Sequence, residues 1–292
     1  MGRGGRRAAV AAAAGGAQAS LTLHGTRPPR SGSIHSAHAA RALSPKQLLE
    51  DVERGGAGKA LDQSEAVALL WQLGQARLAS AAKVLAGSAG FSALAKQVAG
   101  LAAEGHLDAH SLSQSLLAAA YLRGAHADLV LLQECCAEAL AASGQDASGR
   151  DLADSAWALA KLAFSEVGIF DALARASSIK MRTFSAMDLS KLAWAFATAR
   201  MAQPSLIHSL SMELSARHAE LLPQGLSNLA WSFATLRAGP RRALRLIAAA
   251  SARQLGAFKP QELSNLAWAL ARLRAEAGLL PAVAAEAERR AG

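Results

Sequence analysis

The chain has 292 residues, of which 52% are hydrophobic and only 4% aromatic, with a net charge of +9. Ala and Leu dominate while β-branched residues are sparse, so helix-favouring composition predicts an all-α fold. Two cysteines cannot staple a disulfide scaffold, and no segment reaches the roughly 18–20 apolar residues of a membrane span.

Residues 1–45 hold Arg3, Arg6, Arg7, Arg27, Arg30 and Arg41, many Ala and Ser, and no acid. An Arg-rich, acid-free N-terminus predicts a disordered organelle-targeting leader, directed to the mitochondrial matrix or, alternatively, the chloroplast stroma. A secretory signal competes through the apolar run 9–15, which is short and followed by more basic residues, and a plain Ala/Gly/Arg tail is the third reading. Charge is polarised along the chain: +7 over 1–49, −6 over 50–169 and +8 over 170–292. A basic C-terminal half suits a polyanion.

Residues 46–292 are predicted to form one helical solenoid. Near its start the Gly-rich run 55–58 precedes Lys59, but the G-x-x-x-x-G-K-[ST] phosphate loop is absent. His106 and His110 are four apart, yet Leu107, Asp108 and Ala109 lie between them, so the H-E-x-x-H frame of a metal helix is missing. Adjacent Cys135 and Cys136 point about 100° apart on a helix, which predicts two buried free thiols rather than a disulfide. Residues 143–150, SGQDASGR, read as a loop between units.

From there a repeat governs the sequence. Trp157, Trp194, Trp231 and Trp268 recur every 37 residues, within DLADSAWALAKLA (151–163), DLSKLAWAFATAR (188–200), GLSNLAWSFATLR (225–237) and ELSNLAWALARLR (262–274). Weaker copies are SLSQSLLAAAYLR (111–123) and EAVALLWQLGQAR (65–77), making about six units. In the fifth, Leu226, Leu229, Ala230, Phe233 and Ala234 follow the i, i+3, i+4, i+7 rule of an amphipathic helix A. Pro223 and Pro260 suit helix starts, and Pro204, Pro240 and Pro281 fall in or beside the turn before a second helix B, such as 205–218 or 241–254. One helix pair cannot bury its apolar faces alone, so stacked pairs are predicted to form a curved solenoid.

Three columns of the repeat are candidate contacts. On a helical wheel, the positions three before and four after each Trp fall opposite the apolar arc. The first column reads Ala68, Gln114, Asp154, Lys191, Asn228, Asn265; the second reads Gln75, Tyr121, Lys161, Thr198, Thr235, Arg272. Both vary in hydrogen-bonding chemistry while their flanks stay nearly constant, as in repeats that read one RNA base each. The polar members, Gln114, Tyr121, Asp154, Lys161, Lys191, Thr198, Asn228, Thr235, Asn265 and Arg272, are therefore expected base contacts on a solvent-facing strip; ordinary surface variation is the alternative. The Trp itself is expected to pack on the next unit, with stacking on an RNA base as the alternative.

Six residues after each Trp position come Arg77, Arg123, Ala163, Arg200, Arg237 and Arg274. Arginine forks match phosphate oxygens, so the five arginines are expected phosphate contacts; capping of helix carbonyls by the same residues is the competing role.

The L-S-N-L-A-W-[AS]-[LF]-A-x-L block at a period of 37–38 resembles the octotricopeptide repeats of organellar RNA-binding proteins. It is also similar to the helical repeats of FAST-kinase-like mitochondrial proteins and of the trypanosomal RNA-editing substrate-binding complex. That resemblance, over residues 63–292, implies a binder of single-stranded organellar RNA, using the concave face, in RNA processing, stability, editing or translation. No RAP domain or kinase motif of those families is seen. The sequence predicts no catalytic residues, cofactor or small-molecule substrate. A protein–protein scaffold within a ribonucleoprotein is the alternative, and a processing enzyme with its catalytic domain elsewhere the third.

Overall fold

A computed structural model describes residues 61–75, 85–274 and 279–291, together with Glu50. The leader and Arg77 lie outside the described residues, as does most of the stretch where the solenoid was expected to begin. Among the described residues the architecture is all-helical, as composition predicted, and contains no strand. The helices are α1 (Gln63–Gln75), α2 (Ala89–Ala103), α3 (Ala109–Tyr121), α4 (Leu129–Ser143), α5 (Gly149–Lys161), α6 (Val167–Lys180), α7 (Ala186–Thr198), α8 (Pro204–Arg217), α9 (Pro223–Leu236), α10 (Arg241–Ala252), α11 (Pro260–Leu273) and α12 (Leu279–Ala291).

Odd-numbered helices are the A helices of successive repeats and even-numbered ones the B helices. Each A helix packs on the next A helix, each B helix on the next B helix, and each A on its own B. From α5 onward the A helices meet one another far more extensively than the B helices do. Small side chains permit this closeness. Ser113 Oγ donates to the Asp151 carbonyl at 3.2 Å and Ser227 Oγ to the Glu262 carbonyl at 3.0 Å, each bridging neighbouring A helices.

The helix starts follow local chemistry. Ser148 and Ser185 open α5 and α7 with reciprocal capping boxes to Asp151 and Asp188. The Asp108 carboxylate caps α3 by accepting the Ser111 N–H at 2.7 Å. Pro223 and Pro260 occupy the first turns of α9 and α11, where a missing N–H leaves no helical bond unmade.

A recurrent hydrogen bond closes the last four units. Lys180 Nζ donates to the Ala147 carbonyl at 2.7 Å, Arg217 Nη1 to Phe184 at 2.6 Å, and Gln254 Nε2 to Leu221 at 3.1 Å. Arg290 does the same to Phe258. In every case the end of helix B ties down the residue before the start of its own helix A. Those residues, Ala147, Phe184, Leu221 and Phe258, are buried in the core.

Cys136 is buried and Cys135 only partly so; both are free thiols. The expectation of two buried thiols thus holds for one of them, because adjacent helical positions face different ways. Burial raises the Cys136 thiol far above its usual range.

Candidate nucleic-acid interface

Burial of the A helices is more complete than one amphipathic face implies. Every residue from 151 to 160 of α5 is buried, as is every residue from 188 to 197 of α7. On α9 only Pro223, Gln224, Gly225, Trp231, Thr235 and Leu236 escape burial. Beyond its first turn, α9 keeps only a narrow stripe of Trp231, Thr235 and Leu236 at the surface.

This burial corrects the first base-contact column. Asp154, Lys191, Asn228 and Asn265 are 8%, 5%, 4% and 2% exposed, so they are not on a solvent-facing strip. An A helix within the stack is flanked by an A helix on each side and by B helices behind, and the wheel allowed for only one such neighbour. Lys191 forms an ion pair with Asp154 of the preceding unit, and its Nζ is 3.8 Å from Asp188. Arg150 Nε lies 3.6 Å from the other Asp154 oxygen. Asn265 Oδ1 accepts from Gln261 at 3.1 Å. Gln114, nearer the start of the stack, is partly exposed and lies 3.0 Å from His110 Nε2.

The second column stays closer to solvent. Tyr121, Lys161, Thr198 and Thr235 are partly exposed and Arg272 is exposed. Arg272 is nevertheless engaged: its Nε donates to the Ala234 carbonyl at 3.1 Å, capping the end of α9, and its guanidinium lies 5.2 Å from the Trp268 ring centroid. The Tyr121 ring sits between Trp71 and Trp157, with centroids 6.2 and 5.9 Å away. Lys161 Nζ sits between Trp157 and Trp194, 5.6 and 5.3 Å from their centroids. Each links consecutive units along the stripe.

The tryptophans vary with position. Trp157 and Trp194 are 4% exposed, Trp71 and Trp231 are partly buried, and Trp268 is 38% exposed. Trp268 is on α11, which has no following A helix among the described residues. Trp157 and Trp194 are buried between units, and their ring contacts reach the preceding unit: Trp157 to Tyr121 and Trp194 to Lys161. The stripe also contains side-chain donors that are buried and unpartnered: Trp157 Nε1, Trp194 Nε1, Thr198 Oγ1, Asn228 Nδ2 and Thr235 Oγ1. A buried polar atom without a partner is rare enough to require an explanation. The sequence showed the side chains but not which of their polar atoms the packing would leave unbonded.

The arginine column has a common backbone geometry. Ala163, Arg200, Arg237 and Arg274 all adopt the left-handed conformation, with φ of 57°, 58°, 53° and 49°. Their backbone N–H groups cap the preceding helix: Arg200 N–H reaches the Ala197 carbonyl at 3.1 Å and Met201 N–H the Phe196 carbonyl at 2.9 Å. Ala163 and Phe164 repeat the arrangement at 3.2 and 3.0 Å, as do Arg237 and Ala238 at 3.3 and 3.1 Å. This is the Schellman closure, and the backbone makes it. Ala163 serves as an internal control, because it performs the cap with no functional side chain. Arg123 departs from the pattern: it precedes the left-handed residue, which there is Gly124 at φ 78°. Arg123, Arg200, Arg237 and Arg274 are all exposed. Exposed Arg241, Arg242 and Arg245 at the start of α10 extend the positive edge beside Arg237.

His110 Nδ1 is 2.9 Å from Asp151 Oδ1, across the interface of α3 and α5. Hydrogen bonding to that carboxylate raises the His110 pKa above its ordinary value, against a smaller opposing effect of burial. His106 instead lies 3.2 Å from Glu104, so the two histidines serve different partners. Among the described residues, no group of three or more His, Cys, Asp or Glu could hold a metal ion, and no helix is long and apolar enough to cross a membrane.

No protein-family model matches the chain, and a search of curated proteins finds no match either.

Proposed function

We propose that the chain binds single-stranded RNA along the A-helix side of its solenoid, with Arg123, Arg200, Arg237 and Arg274 contacting phosphates. One observation carries this reading. The cap at the ends of α5, α7, α9 and α11 is made by backbone N–H groups, and Ala163 makes it as well as arginine does. The arginine side chains are therefore not needed for the cap, yet they recur, exposed, at one edge of successive units. A row of guanidinium groups suits the phosphates of an extended strand. Base recognition belongs to the part of the stripe near solvent: Gln114 and Tyr121. The resemblance of the LSNLAW block to octotricopeptide repeats belongs to the same proposal, as does a place in mitochondrial or plastid RNA metabolism. Residues 1–45 fused to a reporter should then carry it into one of those organelles; a reporter left in the cytosol or secreted would remove the organellar part.

The binding test replaces Arg200, Arg237 and Arg274 together by Gln. Affinity should fall about equally for every RNA sequence. The slope of log K against log salt should become shallower by about 0.7 per lost contact on a single strand. Unchanged affinity in the triple variant would remove the arginines from the interface. Wild-type protein that binds no single-stranded RNA tighter than about 10 μM at about 50 mM salt would leave the scaffold reading in place of RNA binding, since non-specific electrostatic binding to duplex DNA alone commonly reaches about 10⁻⁴–10⁻⁶ M.

A further inference from the structure

The fifth unit departs from the repeat in its charge. Between Glu220 and Glu262 the chain holds six basic residues and no acid. Four of them, Arg237, Arg241, Arg242 and Arg245, flank the turn from α9 to α10, and all four are exposed. At the start of α6 the places of Arg241, Arg242 and Arg245 are taken by Val167, Gly168 and Asp171; at the start of α8 they are taken by Pro204, Ser205 and His208. The other units thus build the same helix without these cations, so the repeat's packing does not account for them.

Local physics opposes each of the four. Arg237 holds the left-handed conformation, φ 53°, that glycine adopts most readily. Arg241 and Arg242 occupy the first turn of α10, where the helix dipole is positive and an acidic side chain would stabilise. Asp151, Asp188 and Glu262 fill that role in α5, α7 and α11, whereas α10 has no acid there and Pro240 supplies no side-chain cap. Arg245 follows Arg241 by one turn on the same face of the helix, so their charges repel. Among the described residues no carboxylate forms an ion pair with any of the four. The turn between them is packed tightly on the unit: a Cβ on Gly239 would lie 3.0 Å from both Leu244 Cδ2 and Phe233 Cβ. Arg237 and Arg241 are therefore held on one short segment of surface.

We infer that Arg241, Arg242 and Arg245 form, with Arg237, a phosphate-binding patch that anchors RNA on the fifth unit. The inference rests on the RNA reading above and adds a second row of contacts to it, on a B helix. Units three, four and six place at most one arginine each at the end of helix A, whereas the fifth brings four guanidinium groups to one edge. Such forks match phosphate oxygens, and exposed cations that release counterions from a polyanion bind it most strongly where they are densest. Charges that weaken the fold and pair with nothing inside it are then balanced by the strand. An anionic lipid surface is the competing partner, and the experiment separates it.

The test changes Arg241, Arg242 and Arg245 together to Gln in the full chain and leaves Arg237 in place. Binding of a fluorescein-labelled uridine oligoribonucleotide is followed by anisotropy across a range of salt, and stability by urea unfolding. Vesicles of phosphatidylcholine with phosphatidylserine test the lipid alternative by flotation. The triple variant should bind the oligonucleotide about tenfold more weakly or worse at about 50 mM salt, with a slope of log K against log salt shallower by about 2 for three lost contacts. Its urea midpoint should rise, because the cations at the positive end of α10 are gone. If wild type binds the oligonucleotide and the variant keeps both affinity and slope, the patch is wrong and the RNA reading stands. Weaker binding together with a lower urea midpoint would make the three arginines structural and overturn the patch. Wild type that leaves the oligonucleotide unbound removes the RNA reading and this inference with it; flotation with the anionic vesicles, lost in the variant, would then assign the patch to a lipid surface.

Discussion

Lys191 on α7 and Asp154 on α5 occupy the same position of consecutive repeats, and the structure joins them in a buried ion pair between two A helices. Positions that one helical wheel places on a polar strip thus become each other's partners once the helices are stacked. One and two units later the column holds Asn228 and Asn265, uncharged and equally buried.

Removing one partner should be worse than neutralising both. Lys191→Met leaves Asp154 with only Arg150, at 3.6 Å, and should destabilise the fold by about 3 kcal/mol. The double change Asp154→Asn with Lys191→Asn copies the later units and should lose much less. Urea unfolding followed by circular dichroism measures both; a double variant as weak as Lys191→Met would show that the pair does not account for the loss.

Arginine in the left-handed conformation is strained relative to glycine. Arg237→Gly should therefore keep the backbone cap and stabilise the protein by up to about 1 kcal/mol, while Arg237→Val should destabilise it. Under the RNA reading the same Arg237→Gly protein binds RNA more weakly. Greater stability with weaker binding is a combination that a purely capping arginine cannot produce, and lower stability in the glycine variant would refute the strain.

His110 supplies a pH dependence with a definite sign. Its pKa is raised in the folded protein, so its contribution to stability is full below about pH 6.5 and is lost as pH rises through the folded value. The difference in melting temperature between wild type and His110→Ala should shrink steadily from about pH 6 to pH 8. The imidazole is well exposed, so screening keeps the effect small. A difference that grows with pH would contradict the Asp151 interaction.

Gly149 opens α5 against the core. A Cβ at this position would lie 2.8 Å from Phe184 Cδ2 and 2.9 Å from Thr183 Oγ1. Phe184 is 1% exposed and has little room to withdraw. Gly149→Ala should destabilise by about 1–3 kcal/mol in urea unfolding, whereas Gly168→Ala, where a Cβ meets nothing within 4 Å, should not.

Much of the architecture could be read directly from the sequence. The 37-residue period of Trp157, Trp194, Trp231 and Trp268 identified the unit; the i, i+3, i+4, i+7 pattern identified helix A; Pro223 and Pro260 marked helix starts. These are local signals, set by backbone geometry within a few residues. The arginine column was equally visible, because it needs only the count from each Trp. What the arginines do at the end of each helix was not visible, since the sequence does not tell a capping side chain from a capping backbone N–H.

Tertiary structure alone decided which polar residues meet solvent. A wheel divides a helix into one apolar and one polar face, but an A helix in this stack touches neighbours on at least three sides, and that puts Asp154, Lys191, Asn228 and Asn265 inside. The bonds that close the last four units, such as Arg217 to the Phe184 carbonyl, link residues 33 apart, and only the chain's return path brings them together. The surroundings of Lys161 have the same origin. One of its two tryptophans belongs to the next repeat and its cationic neighbour Arg123 to the previous one, so no single repeat of the sequence contains that environment.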